Sequence, residues 1–140
     1  KMLIGDKVPF KQVYAVDKAK EEIKTFMANI PKKFKKKIHV KYRASWSIPK
    51  HIKKVDVFVS FDALGHVPDI EVFLKDVRKV LKKGGRFCFH IKHHIMNVTP
   101  NAVVLDDKKA ILKLFEKQKL RATYFREGAF TTHIFIYGKK

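Results

Sequence analysis

Residues 55–92, VDVFVSFDALGHVPDIEVFLKDVRKVLKKGGRFCFHIK, constrain the fold more than any other stretch, because they spell strand, loop, helix, turn and strand without interruption. The run from Val55 to Phe61 is β-branched and aromatic, the composition of a strand buried on both faces. Pro68 and Asp69 announce a helix start. Ile70, Phe73, Leu74, Val77, Val80 and Leu81 recur at steps of three and four and so share one helical face. Lys82-Lys83-Gly84-Gly85 is expected to close that helix, with cations at its negative end and a glycine free to turn left-handed. Arg86 to Ile91 is the next strand. A strand, helix and strand at this spacing form a parallel, right-handed crossover.

The flanks extend the same architecture. Met2-Leu3-Ile4 reads as a short first strand, and Gln12 to Val16 as a second that ends at Asp17. Lys18 to Asn29 is a helix with Ile23, Phe26, Met27 and Ile30 facing the core, stopped by Pro31 and a lysine run. Ile38 to Tyr42 alternates as a third strand on an edge would. A loop with Pro100 leads to a helix from Asp106 or Asp107, with Ala110, Ile111, Leu114 and Phe115 inward. Lys119 to Phe125 and Thr131 to Tyr137 are joined by the short turn Arg126-Glu127-Gly128-Ala129, which favours an antiparallel hairpin. The expected fold is α/β: a three-layer sandwich around one doubly wound, mostly parallel sheet, in a single domain over residues 1–140.

Composition excludes several classes. No apolar run approaches the roughly 18 residues of a membrane span, and the amino-terminal stretch lacks a secretory signal's apolar centre. A soluble, cytoplasmic protein is expected, in which the sequon at Asn97-Val98-Thr99 goes unused. The lone Cys88 falls in mid-strand and reads as a buried, inert thiol.

Charge is the second constraint. With 32 Lys and Arg against 13 Asp and Glu, the formal net charge is +19. Between Glu22 and Asp56 there is no acid, while Lys32, Lys33, Lys35, Lys36, Lys37, Lys41, Arg43, Lys50, Lys53 and Lys54 crowd the window. Like charges so dense suit an RNA, DNA or other polyphosphate partner; a solvated basic face is the other reading.

The central segment resembles the second half of the class I methyltransferases that use S-adenosylmethionine. It carries the Asp56-to-Ser60 strand, a loop with His66, Pro68 and Asp69, and the Leu81-to-Arg86 turn. The resemblance implies strand order 3-2-1-4-5-7-6, with the cofactor between strands one and four, outside their carboxyl ends. It places Gly5, Asp6, Asp17, Ser45, Trp46, Ser60 and Phe61 around the cofactor, and Ser60 and His66 on the acceptor side. Asp17, at the end of strand two, stands where the family's ribose-binding acid is found; a helix N-cap is its other reading. Gly5 is what remains of the family's glycine-rich turn, since only about eleven residues separate the first two strands. Relatives often carry an adenine-contacting acid near an apolar-Pro pair. Ile48-Pro49 supplies the pair, but Arg43-Ala44-Ser45-Trp46-Ser47 brings no acid. Trp46 stacks on a base or packs in the core.

Seven histidines are present, with His90, His93 and His94 near the end of strand five. They suit a general base or a surface role better than a metal site, because no Cys or carboxylate completes a zinc pattern. The implied activity is methyl transfer from S-adenosylmethionine, to RNA or another polyanion on charge grounds. The alternative is a catalytically inactive methyltransferase-like module that binds nucleic acid or protein.

Overall fold

The computed structural model describes residues 10–17, 19–42, 46–52, 54–94, 100–128 and 131–140. The chain divides into two compact units, Lys1–Ser45 and Trp46–Lys140.

In the first unit, strand β1 (Val13–Asp17) pairs in parallel with β2 (Ile38–Tyr42). Helix α1 (Lys20–Asn29) connects them, followed by a 3-10 turn at Lys32–Lys37. Ile30 and Ile38 are buried, but Phe26 and Met27 are 37% and 36% exposed. This corrects the inward placement of those two side chains. The expected first strand, Met2-Leu3-Ile4, lies outside the described residues.

The second unit is built on a four-stranded sheet in the order β3-β4-β6-β5, comprising β3 (Val55–Phe61), β4 (Leu81–His94), β5 (Arg121–Glu127) and β6 (Thr131–Lys139). β3 and β4 are parallel, whereas β6 runs antiparallel to both β4 and β5, so the expected carboxyl-terminal hairpin is present. Among the described residues the strands fall into two sheets rather than one continuous sheet. One face of the four-stranded sheet carries helix α2 (Ile70–Val80), the short α3 (Ala102–Asp106) and α4 (Lys108–Lys117). Phe87 and Phe89 of β4 meet Phe115 of α4 at ring separations of 5.4 and 5.5 Å, and Phe58 meets Phe73 of α2 at 6.3 Å. Leu74, Val77, Ile111, Ile134 and Ile136 close this core, each wholly buried.

Among the described residues of this unit the helices all pack on that one face, and the opposite face carries exposed apolar side chains. Val57 and Phe61 are 58% and 54% exposed, and β3 therefore buries only the face bearing Phe58 and Ser60. The reading of this strand as buried on both faces is corrected: its apolar composition serves one packed face and one open face.

Helix α2 starts where expected, with Asp69 as its cap: the carboxylate accepts the Val72 amide at 3.0 Å. Its end differs. Leu81 is already extended and buried, and β4 begins there, so Lys82 to Gly85 belong to the strand. Gly84, at φ 74°, donates its amide to the Lys140 carbonyl at 3.2 Å, and Lys140 returns a bond to the Gly85 carbonyl at 3.0 Å. Beside Arg78 and Lys79 of its own last turn, the negative end of α2 receives cations from afar. Lys140 Nζ donates to the carbonyls of Arg78 and Leu81 at 2.7 and 2.8 Å, and Lys54 donates to that of Lys79. Burial, with Lys54 and Arg78 nearby, holds the Lys140 amine below its ordinary range.

Candidate functional site

Asp17 closes β1 in the first unit. Its Oδ1 accepts the Ala19 amide at 2.8 Å, and the carboxylate is exposed. One oxygen thus orders the turn into α1, which partly realises the capping reading, although the N-cap position itself is Ala19. This geometry fits a ribose, because an exposed carboxylate held by one bond retains acceptor capacity for sugar hydroxyls. Gly5, Asp6 and Ser45 lie outside the described residues.

In the second unit the carboxyl end of β3 and the following loop are held firmly. Asp62 adopts φ 51°, donates its amide to the His90 carbonyl at 2.8 Å, and accepts the Lys92 amide on Oδ1 at 2.5 Å. A 3-10 turn at Leu64–His66 follows, closed by the His66 amide on the Ala63 carbonyl at 3.0 Å. Asn101 then fastens the loop from outside. Its Nδ2 lies 2.7 Å from the Val67 carbonyl, 3.3 Å from that of Gly65 and 3.5 Å from that of Leu64. Buried Leu64 and Val67 pin the loop from below, while His66 is exposed.

The expected site residues of this unit separate by face. Ser60 is 8% exposed and pairs with Phe89, so it lies on the packed side of the sheet. Phe61 lies on the open side, its ring edge toward His90 at 6.1 Å. Trp46 packs against the core of the unit, which is the second of its two readings. Asp56, in the strand that carries the resemblance, forms an exposed ion pair with Lys82 at 2.8 Å.

His90 contacts His133 of β6, with Nε2 and Nδ1 3.0 Å apart. The rings are inclined by only 19° with centres 5.3 Å apart, and the short nitrogen separation takes up most of that distance. They therefore meet edge to edge, one donating to the other's lone pair. Asp62 Oδ1 stands 3.9 Å from the other nitrogen of His90. His133, Asp62 and Asn101 were not singled out from sequence, because each acquires its role from a neighbour at least 30 residues away. The side chains of His93 and His94 lie outside the described set. Cys88 also faces the open side and is half-buried rather than enclosed; burial pushes its thiol up. Among the described residues no three His, Cys, Asp or Glu side chains are grouped to hold a metal, and no helix is long and apolar enough to cross a membrane.

Of the described basic residues, Lys32, Lys33, Lys35, Lys36 and Lys37 are exposed on the 3-10 turn of the first unit, and Lys50 and Lys54 are exposed in the second. Lys33 lies 5.1 Å from the Phe34 ring centre, and Phe34 packs against Phe10 at 5.6 Å.

A parallel strand pair ending in an exposed acid in one unit, and a parallel β-α-β crossover in the other, make this an α/β protein. The sequence matches the family described as "Methyltransferase domain" over residues 3–89, more than half the chain, and the protein belongs to that family, the class I methyltransferases. The fold agrees with solved structures. The YcgJ protein from Bacillus subtilis superposes with a TM-score of 0.70 at 14% identity, over 93% of this chain and 82% of that one. An S-adenosylmethionine-dependent methyltransferase from Mesorhizobium loti gives 0.71 at 12% identity, over 93% and 81%. One from Aquifex aeolicus gives 0.67 at 16%, over 91% and 68%. No curated protein shows a sequence match to this chain.

Proposed function

We propose that this protein binds S-adenosylmethionine and acts as a methyltransferase. The observation that carries the reading is Asp17, an exposed carboxylate at the carboxyl end of a parallel strand, in a chain of this family. When bound, the sulfonium cofactor supplies an activated methyl group for direct displacement. The chain's own part is positioning. Asp17 accepts bonds from the ribose hydroxyls while its turn is held by the Ala19 amide. Phe61 offers an exposed ring at the carboxyl end of β3. The loop from Asp62 to Asp69, tied to β4 and to Asn101, presents a fixed backbone on the acceptor side. His66 is exposed on that loop and is the candidate proton acceptor; Ser60, turned to the packed face, serves as a spacer between β3 and α2.

Calorimetric titration with S-adenosylhomocysteine tests this reading. Asp17→Ala removes bonds to a charged acceptor and is expected to weaken binding by roughly 2–4 kcal/mol. Absence of binding to the unsubstituted protein at millimolar ligand would overturn the transferase reading in favour of a catalytically inactive binding module.

The acceptor class is a polyanion, RNA foremost. The support is the net charge of +19 and the exposed lysines of the Lys32–Lys37 turn. Affinity for a short RNA is then expected to fall steeply with salt, and charge reversal at Lys35, Lys36 and Lys37 to flatten that slope by roughly 2–3.

A further inference from the structure

The uncovered face of the four-stranded sheet has an order of its own. Cross-strand pairing sets Phe61 beside His90, His90 beside Phe135, and Phe135 beside Phe125, so four rings cross the sheet in one row. Their centres are 6.1, 4.9 and 6.2 Å apart in turn. The two ends of the row, Phe61 and Phe125, are 54% and 51% exposed, and none of the four rings belongs to the buried core. A second row, four residues away along β4, sets Arg86, Lys139 and Arg121 side by side, all exposed.

Rings in a row across this face, tilted by 39–60° to one another and bordered by a line of cations, match the chemistry of a polynucleotide whose bases are free. Every base has a π-face to stack, and the phosphates need the cations. A purely apolar partner would leave the cation row without counter-charge. A second copy of the chain would bring another +19 against the same face. A duplex hides its bases and cannot use the rings.

We propose that this sheet face is a stacking platform for single-stranded nucleic acid, with Phe61, His90, Phe135 and Phe125 as the base-contacting row and Arg86, Lys139 and Arg121 as phosphate contacts. The platform shares Phe61 with the proposed cofactor side, but His90, Phe135 and Phe125 have no part in the transferase reading, and the test rests on the last two. The platform is also separate in sequence from the lysine turn at Lys32–Lys37.

The test is fluorescence anisotropy with a short labelled oligouridylate, and with a duplex of equal length, against the full chain. The double substitution Phe125→Ala/Phe135→Ala, on strands given no cofactor contact, is expected to weaken single-strand binding about tenfold or more at fixed salt. It should leave both the salt slope and duplex binding unchanged, whereas Phe125→Trp should retain single-strand affinity. Unchanged single-strand affinity in the double variant would overturn the proposal. So would self-association of the unsubstituted protein in sedimentation that the double substitution abolishes, which would give the face to a second copy. Photocrosslinking of a thiouridine oligonucleotide to the unsubstituted protein decides the matter even if the double variant does not fold. Adducts on β5 and β6 support the platform, and adducts confined to residues 32–54 refute it.

Discussion

Helices α1 and α2 have nearly the same length, ten and eleven residues, and both carry apolar side chains at helical spacing. Yet α1 buries none of its residues, while α2 buries Ile70, Phe73, Leu74 and Val77. The capping differs in the same sense. Asp69 caps α2 with its side chain, whereas Ala19 at the N-cap of α1 has none to offer. Periodicity announces a face, but what the face meets decides its worth: α2 lies on a four-stranded sheet in a core of rings, α1 beside a two-stranded one. Asp17 therefore sits on the thinly packed unit, and the loop after β3 on the densely packed one.

The sharpest way to break this contrast is to remove one apolar side chain from each region. Phe89→Ala, at a wholly buried ring packed against Phe58, Phe87 and Phe115, is expected to cost about 3–5 kcal/mol. Phe26→Ala in α1 should change stability by no more than about 0.5 kcal/mol. Urea unfolding measures both, followed by the fluorescence of Trp46, the single tryptophan, for Phe89→Ala and by helical circular dichroism for Phe26→Ala, and equal losses would erase the distinction. Next in size is Asn101→Ala, which leaves the loop carbonyls without their donor and should cost about 1–3 kcal/mol. Limited proteolysis should then cut between residues 62 and 69 well before it cuts the parent protein.

Capping gives a smaller and more pointed comparison. Asp107 accepts the amides of Lys109 and Ala110 at 2.9 and 3.1 Å, so Asp107→Ala should destabilise by about 1 kcal/mol. Ala19→Ser should act oppositely, raising helical circular dichroism while leaving the Trp46 unfolding midpoint in place. The smallest effect concerns Cys88. Because burial raises its folded pKa, the native thiolate fraction near pH 8 is lower than in the unfolded chain, and a disulfide reagent should react more slowly with the native protein than in urea. By the same sign, stability drifts down as pH rises above the unfolded thiol's value, since there the unfolded chain loses the proton first.

Much of this was legible in the chain itself. Ile38–Tyr42 and Val55–Phe61 have the bounds their composition implies, and Asp69 caps the helix it precedes. Asp17 stands at its strand end. These features depend on neighbours within a few residues. What escaped depends on register between distant strands. His133 reaches His90 only because β6 pairs antiparallel with β4, and the aromatic row exists only once four strands are aligned. The glycine pair at 84–85 was misjudged for the same reason: it resembles a helix cap locally, but its partner is Lys140 at the far end of the chain. The short helix α3 was missed because five residues carry too little periodicity to stand out beside Pro100.

The grip of Asn101 on the loop after β3 has a consequence for how this protein can change over generations. Among the described residues its amide donates to the main-chain carbonyls of Leu64, Gly65 and Val67, so the shape of the loop is specified from outside the loop. Exposed residues such as His66 and Pro68 are then free to drift without losing that shape. A lineage holding Asn101, Leu64 and Val67 constant can rewrite what the loop meets one codon at a time, with the scaffold indifferent to each revision.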